Sequence, residues 1–255
     1  MISLPSIKTL TAPNPSPMTL SGTNTYILGE KDLIIIDPGP LIESHLKKIL
    51  EIIQEKEKVK LILLTHHHLD HSEGAEWLSE KTEAPVGAYK NLKLNPNLEW
   101  VKLGDQDLLK GDSFTLQVLH TPGHTSDHIC LFLTETQALF SGDLILGEGS
   151  TTLNPPDGNL KDYMESLYFL KDLNPEVLFP GHGPSGNAGK RIQELIQHRK
   201  QRHQEILDCL QKGITEPEEI VQIVYKNLNP SLLGPAVGNV KAHLDTIQHG
   251  EKFFK

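Results

Sequence analysis

The feature that most constrains this 255-residue chain is the heptad at residues 65–71, Thr-His-His-His-Leu-Asp-His. The apolar run at residues 59–64 precedes it directly and, being short and aliphatic, predicts a buried strand. The residues that follow predict the first turn of a helix, with Ser72 as its N-cap. Since open α/β sheets carry their chemistry at the carboxyl ends of strands, the heptad is expected to lie in a functional site.

The spacing within the heptad indicates a metal site. His66 and His68 are two positions apart, so an extended backbone directs both imidazoles to one side and His67 to the other. Asp70 and His71 follow the bend toward the helix, where they can serve a second ion. Imidazole and carboxylate ligands suit zinc, with manganese and iron as alternatives. A solvent-exposed, histidine-rich turn is the other interpretation of the heptad.

Three later motifs place further histidine and aspartate residues at the ends of predicted strands. They are Thr-Pro-Gly-His-Thr at residues 121–125, Ser-Gly-Asp at 141–143 and Pro-Gly-His-Gly at 180–183. Together with the HxHxDH pattern of the heptad, and in this order, they resemble the signature of the metallo-β-lactamase superfamily over residues 20–185. The resemblance implies a four-layer αββα sandwich and a metal-dependent hydrolase.

The same resemblance assigns a role to each ligand. It implies that a first ion is held by three imidazoles, those of His66, His68 and His124. It implies that a second ion is held by Asp70, His71 and His182, while Asp143 bridges both. Two zinc ions per chain would then hold a hydroxide between them, with Asp70 and Asp143 as the catalytic residues. The family also has an aspartate that braces the metal loop, and Asp37 is either that residue or a simple turn residue before proline.

The order of predicted elements indicates two sheets with helices outside them, followed by a helical extension. Residues 1–186 are expected to form the catalytic domain and residues 187–255 a C-terminal, winged-helix-like region. In that region a long helix is predicted over residues 191–210. A capping box that begins at Thr215 predicts the next helix. A last helix over residues 231–247 is expected to break at the Gly-Pro pair 234–235.

Several residues outside the ligand set have two interpretations. His128 either hydrogen-bonds a ligand or substrate, or is structural. The basic segment at residues 198–203 either follows the phosphates of a nucleic acid or is a solvated helix face. His198 and His203 within it are expected to be solvated.

Composition bears on the charge of the substrate and on the cellular compartment. The formal net charge is −9, with −11 on residues 1–185 and +2 on residues 186–255. Bound divalent ions would outweigh this distant charge locally, so an anionic substrate is not excluded. The two cysteines, Cys130 and Cys209, are far apart and fit a reducing cytoplasm, with Cys130 as a buried thiol. No apolar stretch suits a membrane span, and the start of the chain lacks the pattern of a secretory signal.

The substrate is less constrained than the metal site. Residues 22–26, 121–128 and 141–149 resemble the β-lactamase-like protein 2 group, whose members are similar to single-strand endoribonucleases. This resemblance implies cleavage of phosphodiester bonds in single-stranded RNA. The alternative is a thioesterase similar to glyoxalase II, or a hydrolase of small esters or lactones. A metal-binding module without chemistry, a single-iron oxygenase and a homodimer are further hypotheses.

Overall fold

The computed structural model of the protein describes residues 5–54, 56–89 and 98–250. Residues 1–4, on which the expectation about a secretory signal partly rests, lie outside these ranges. Two six-stranded mixed sheets form its centre. The first contains β1 (Ile7–Thr11), β2 (Asn24–Leu28), β3 (Asp32–Ile36), β4 (Lys58–Leu63), β5 (Val86–Tyr89) and β6 (Trp100–Leu103), in that order. The second contains β7 (Leu108–Lys110), β8 (Thr115–His120), β9 (Ile129–Leu133), β10 (Ala138–Gly142), β11 (Val177–Pro180) and β12 (Gly186–Asn187).

Helices cover the outer face of each sheet. On the first sheet lie α1 (Glu43–Ile52) and α3 (Ala75–Thr82). A short helix, α2 (Leu69–Ser72), lies between them in sequence. On the second sheet lie α4 (Leu160–Leu173) and the first half of α5 (Ala188–Gln211). The predicted four-layer αββα sandwich is therefore confirmed.

Strand β3 shows why the sandwich forms. Its apolar residues run without interruption, and successive side chains point to opposite faces of the sheet. Ile34 and Ile36 enter the core between the two sheets, while Leu33 and Ile35 pack under α1. Each fully buried aliphatic side chain of this kind contributes about 1.5–3 kcal/mol to the free energy of unfolding. Cys130 lies in the core under α4 as a buried free thiol, as predicted.

The C-terminal helices form their own core on the second half of α5. They are α6 (Pro217–Val224) and α7 (Leu233–Gln248), joined through a 3₁₀ turn at Pro230–Leu232. Ile206 of α5, Ile220 of α6 and Val240 of α7 meet in this core. Because the first half of α5 packs in the sandwich, this single helix fixes the C-terminal unit against the catalytic sheets.

Two helix starts in this region differ from the prediction. Glu216 occupies the N-cap of α6 without a side-chain cap bond, so the capping box expected from Thr215 does not form. The ring of Pro217 fixes φ of the first helical residue at a helical value, and no intrahelical N–H bond is required at that position. Helix α7 also does not break at residues 234–235, because Pro235 is its third residue, where the backbone needs no intrahelical N–H bond.

The helix after the metal-rich heptad also begins differently. Ser72 is not the N-cap of a long helix but the last residue of α2. Its hydroxyl donates to the carbonyl oxygens of His67 and His68, at 3.1 and 3.0 Å. The chain thus makes one tight turn around the heptad before α3 starts. No helix in the described part of the chain has both the length and the apolar character needed to cross a bilayer.

Candidate metal centre

The seven predicted ligands meet at one edge of the sandwich, where four strands end. The heptad follows β4, and the other three ligands follow β8, β10 and β11. The side chains form three overlapping groups whose ligand atoms lie within 4.8 Å of one another: His66, His68 and His124; His66, His71 and Asp143; and Asp70, His71 and His182. Residues separated by more than a hundred positions in sequence thus converge on one centre.

The first group has the spacing of a metal-binding imidazole triad. Nδ1 of His68 lies 3.0 Å from Nε2 of His66 and 3.0 Å from Nε2 of His124. Nitrogens bound to one tetrahedral zinc at about 2.0–2.1 Å stand about 3.3 Å apart. The three rings therefore present their nitrogens close to the separation that a shared cation requires.

A second ligand group, formed by Asp70, His71 and His182, completes the centre together with Asp143. Nε2 of His182 lies 3.2 Å from Nε2 of His71 and 3.2 Å from Oδ2 of Asp70. Asp143 reaches both groups, since its Oδ2 lies 3.3 Å from Nε2 of His182 and 3.8 Å from Nε2 of His124. Its Oδ1 is buried and has no hydrogen-bond partner among the described residues. A buried carboxylate oxygen in this position fits a bound cation, which would supply the missing partner.

Hydrogen bonds on the far side of the rings set their tautomers. Nδ1 of His124 donates to the carbonyl oxygen of Thr152 at 2.9 Å, and Nδ1 of His182 donates to that of Gly22 at 3.1 Å. A carbonyl can only accept, so each neutral ring keeps its proton on Nδ1. Nε2 then carries a free lone pair directed at the centre, as a metal ligand requires.

Asp37 braces the metal loop, which is the first of its two interpretations. Its Oδ1 accepts the backbone N–H of Thr65 at 2.8 Å. Its Oδ2 accepts the hydroxyl of Thr65 at 2.8 Å and Nδ1–H of His71 at 2.9 Å. Because the Thr65 hydroxyl donates to Asp37, it accepts from Nδ1 of His66, which lies 3.0 Å away. One buried carboxylate thus orients two of the ligand rings.

Burial and charge divide the histidines into two classes. Burial, together with repulsion from His124, lowers the pKa of His68 to about 4. Burial also lowers the pKa of His66 and that of His124. For His182 the cost of burial is outweighed by Asp143 and Asp70, and its pKa rises to about 9. Without a metal the centre therefore holds protons on the side of His182, and a cation that binds there must displace them.

The sequence left two interpretations of His128, and its contacts favour the structural one. Its Nε2 accepts the backbone N–H groups of Asp143 and Leu144, at 3.2 and 3.3 Å. Its Nδ1 donates to the hydroxyl of Thr121 at 3.1 Å. Burial holds the pKa of His128 well below its usual value, which keeps Nε2 free to accept. The ring is structural, and it fixes the turn that presents Asp143.

The family models match both parts of the chain. Residues 18–182 match the profile described as Metallo-beta-lactamase superfamily, and residues 217–250 match that of the Beta-lactamase associated winged helix domain. The chain belongs to the metallo-β-lactamase superfamily. The resemblance seen in the four sequence motifs is thereby confirmed.

Relatives of two kinds share this superfamily domain. Proteins named Beta-lactamase-like protein 2 homolog from Caenorhabditis elegans and Drosophila melanogaster are 36% and 37% identical. These alignments cover 89% and 92% of this chain and 79% and 85% of the relatives. An Atrochrysone carboxyl ACP thioesterase from Aspergillus fumigatus is 33% identical over 78% of this chain and 62% of its own length.

Solved structures agree with the fold. A Beta-lactamase domain protein from Burkholderia ambifaria superposes with a TM-score of 0.81 at 23% identity, over 96% of this chain and 86% of that one. TTHA1623, solved in a di-iron-bound form, superposes with a TM-score of 0.59 at 28% identity, over 71% of this chain and 95% of that one. With the donor set described above, membership of this superfamily indicates that the centre binds divalent metal.

A cleft of about 740 Å³ opens over the centre of this metallo-β-lactamase domain. Five of the ligands line its floor: His68, Asp70, His124, Asp143 and His182. Met18 and the prolines at 155 and 156 form its walls, and Gly234 and Pro235 of the winged-helix unit close one side. His67 lies at the rim, turned from the other rings as predicted, with Nδ1 2.9 Å from Oδ1 of Asp127.

The basic segment at residues 198–203 is packed inward, which corrects both interpretations of its arginines. Arg199 is fully buried and donates to the carbonyl oxygen of Thr151 at 2.6 Å. Arg202 donates to the carbonyl oxygen of Val224 at 2.8 Å. His198 and His203 are half-buried, so the expectation that they are solvated is wrong. Burial lowers the pKa of His198 to about 4.

Gly181 leaves no room for a side chain next to the ligands. A Cβ at this position would lie 2.5 Å from Oδ1 of Asp143 and 2.7 Å from Cε1 of His71. We expect Gly181→Ala to displace one of these ligands and weaken metal binding by about 10- to 100-fold. Gly186→Ala is the matched control, because a Cβ there meets nothing within 4 Å. Equal metal affinity of the two variants, measured by competition with a chelator, would contradict the steric argument.

Proposed function

We propose that the chain is a hydrolase that loads two divalent cations, with zinc the expected metal, and cleaves thioesters or related carboxylic esters. The observation that carries the proposal is the reach of Asp143 to both ligand groups, with one buried oxygen that has no hydrogen-bond partner among the described residues and faces Nε2 of His71 at 3.4 Å. Two overlapping sets of imidazole and carboxylate donors suit two cations that share a ligand. Zinc suits these donors, and manganese and iron remain its competitors.

The chain supplies orientation and a route for protons. Bound divalent cations would provide a water that deprotonates near neutral pH and a Lewis acid for the carbonyl oxygen of the substrate. Asp37 and the carbonyl of Thr152 hold the ligand rings in the tautomer that leaves their inner nitrogens free. Asp70, whose side chain is 31% exposed, lines the cleft and is the carboxylate placed to pass a proton to the leaving group.

The walls of the cleft favour an uncharged acyl group. Met18, Pro155 and Pro235 contribute apolar surface beside the ligands. Among the described residues, no lysine or arginine lines the cleft, so no side-chain cation is placed to hold a phosphate there. A thioester needs apolar contact and a polarised carbonyl, and its thiolate leaves more readily than an alkoxide. The relative named as a thioesterase supports the same class of substrate.

Cleavage of single-stranded RNA is the second candidate function. It is supported by the identity of 36–37% to the two proteins named Beta-lactamase-like protein 2 homolog, over most of the chain. An RNA substrate would have to be held without Arg199 and Arg202, whose guanidinium groups are engaged inside the protein. The cations themselves would then provide most of the attraction for phosphate.

Parallel assays on the metal-reconstituted protein test these functions. We expect about two zinc ions per chain by elemental analysis, and turnover of an acyl thioester that a chelator abolishes and added metal restores. A lactone, a simple phosphodiester and an unstructured RNA oligomer are assayed under the same conditions. RNA cleavage without thioester turnover would favour the second candidate. No hydrolysis of any of these substrates by protein that holds two ions would refute both.

A further inference from the structure

We propose that an apolar chamber beside the metal centre binds the acyl arm of the substrate and selects its length. This proposal rests on the thioesterase function proposed above. The chamber has a volume of about 300 Å³ and opens from the cleft, with which it shares His124, Asp143 and Thr152. An ester whose carbonyl lies at the ligands can therefore extend its acyl chain into the chamber.

Most of the surface that lines the chamber is apolar, and its residues come from both parts of the chain. Leu20 and Leu146 belong to loops of the catalytic sandwich, while Leu228, Leu232 and Ala236 belong to the winged-helix unit. Among the described residues, no lysine or arginine reaches this surface, and Glu148 and Asp143 are its acids. The carboxylates of this lining repel an anionic chain, and the burial of methylene groups against its apolar side chains favours the binding of an uncharged one.

The wall of the chamber is held in place before any ligand binds. Arg191 on α5 donates from Nε to the carbonyl oxygen of Leu146 at 2.9 Å, and its guanidinium also donates to that of Gly149. Arg199, about two turns further along the same helix, donates to the carbonyl oxygen of Thr151. Asn239 of α7 accepts the backbone N–H of Leu153 at 2.9 Å. Because these bonds order the loop in advance, a ligand does not have to order it on binding.

The size of the chamber distinguishes an acyl chain from a polymer. At about 300 Å³ it lies at the lower end of the range for small-molecule sites. A chain of moderate length fills it, whereas an RNA strand does not fit within it. Each methylene that moves from water into the chamber should raise kcat/KM about fourfold, until the chamber is full.

A series of acyl thioesters of N-acetylcysteamine, from acetyl to dodecanoyl, tests the proposal on the metal-reconstituted protein. We expect kcat/KM to rise about fourfold per methylene and then to level off or fall. Leu232→Trp, which adds bulk to the wall, should move the optimum to shorter chains. Ile223→Trp is the matched control, because Ile223 is 43% exposed on α6 and does not line the chamber, so its profile should match that of the unmodified protein.

Two outcomes separate this proposal from the function on which it rests. Thioester turnover with no dependence on chain length, or the same optimum in Leu232→Trp, overturns the acyl chamber and leaves the thioesterase function standing. Absence of turnover for every thioester overturns the function, and a binding measurement on the metal-free protein then decides about the chamber. Calorimetry with the uncharged acetamide, hexanamide and decanamide should show affinity that increases with length in the unmodified protein and falls in Leu232→Trp for decanamide. Equal affinities would overturn the chamber.

Discussion

Replacing Asp143 by asparagine is expected to remove metal from the centre and to lower kcat/KM by about three orders of magnitude. The carboxylate lies within 4 Å of ligand nitrogens in both groups, at His71, His124 and His182. An amide keeps the shape but loses the negative charge and presents a donor in place of one ligand oxygen. Loss of several kcal/mol of interaction with the cations corresponds to the expected loss of rate. Elemental analysis and steady-state kinetics on the same sample measure both effects.

Asp127→Asn is the matched control for this substitution. Asp127 is another carboxylate near the centre, and it contacts the rim residue His67 and none of the seven ligands in the contacts described. Its removal should leave the metal content unchanged. If Asp143→Asn retained two ions per chain and full activity, the centre would not depend on the charge of Asp143, and the proposal that both ions share this carboxylate would fail.

The convergence of the ligands could be anticipated because the four motifs resemble the signature of the superfamily and each of them follows a strand. A strand that ends at a Gly- or Pro-containing turn presents the next polar side chain at the edge of the sheet, as His124 and His182 show. The alternation of side chains in extended backbone separated His67 from His66 and His68, and the structure agrees. These inferences depend on local geometry, which the sequence records directly.

The partners of the basic segment could not be anticipated, because they come from distant parts of the chain. Arg199 meets Thr151 and Asn239, which lie 48 and 40 residues away. A helix of mixed charge and apolar residues does not reveal which of its cations face inward when two different cores cover it. The sequence of the segment therefore resembles a basic surface, although Arg199 orders the loop whose Thr151 contacts His124.

Helix starts were the other source of error. Cap patterns at Ser72 and Thr215 predicted helix starts that the chain does not use. In both cases a neighbouring constraint, the tight heptad turn or Pro217, decided where the helix begins.

Asp37→Asn is expected to disable the centre although it replaces none of the ligand residues. Oδ1 of Asp37 accepts the backbone N–H of Thr65, so the carbonyl oxygen of an asparagine would occupy that position. Its amide group would then face Nδ1 of His71, where Oδ2 now accepts a hydrogen bond at 2.9 Å. The amide donates, so the proton of His71 would move to Nε2, the atom that faces Asp143 and His182.

A proton on Nε2 of His71 competes directly with a cation for the same lone pair. We therefore expect metal affinity to fall by about 10- to 100-fold, and activity at fixed metal concentration to fall by up to about 10⁴-fold. Raising the metal concentration should restore part of the activity, which a simple loss of folding would not allow. Asp32→Asn is the control, since Asp32 pairs only with Lys60 among the ion pairs described and lies at the far end of β3. Unchanged metal affinity in Asp37→Asn would mean that packing alone orients His71.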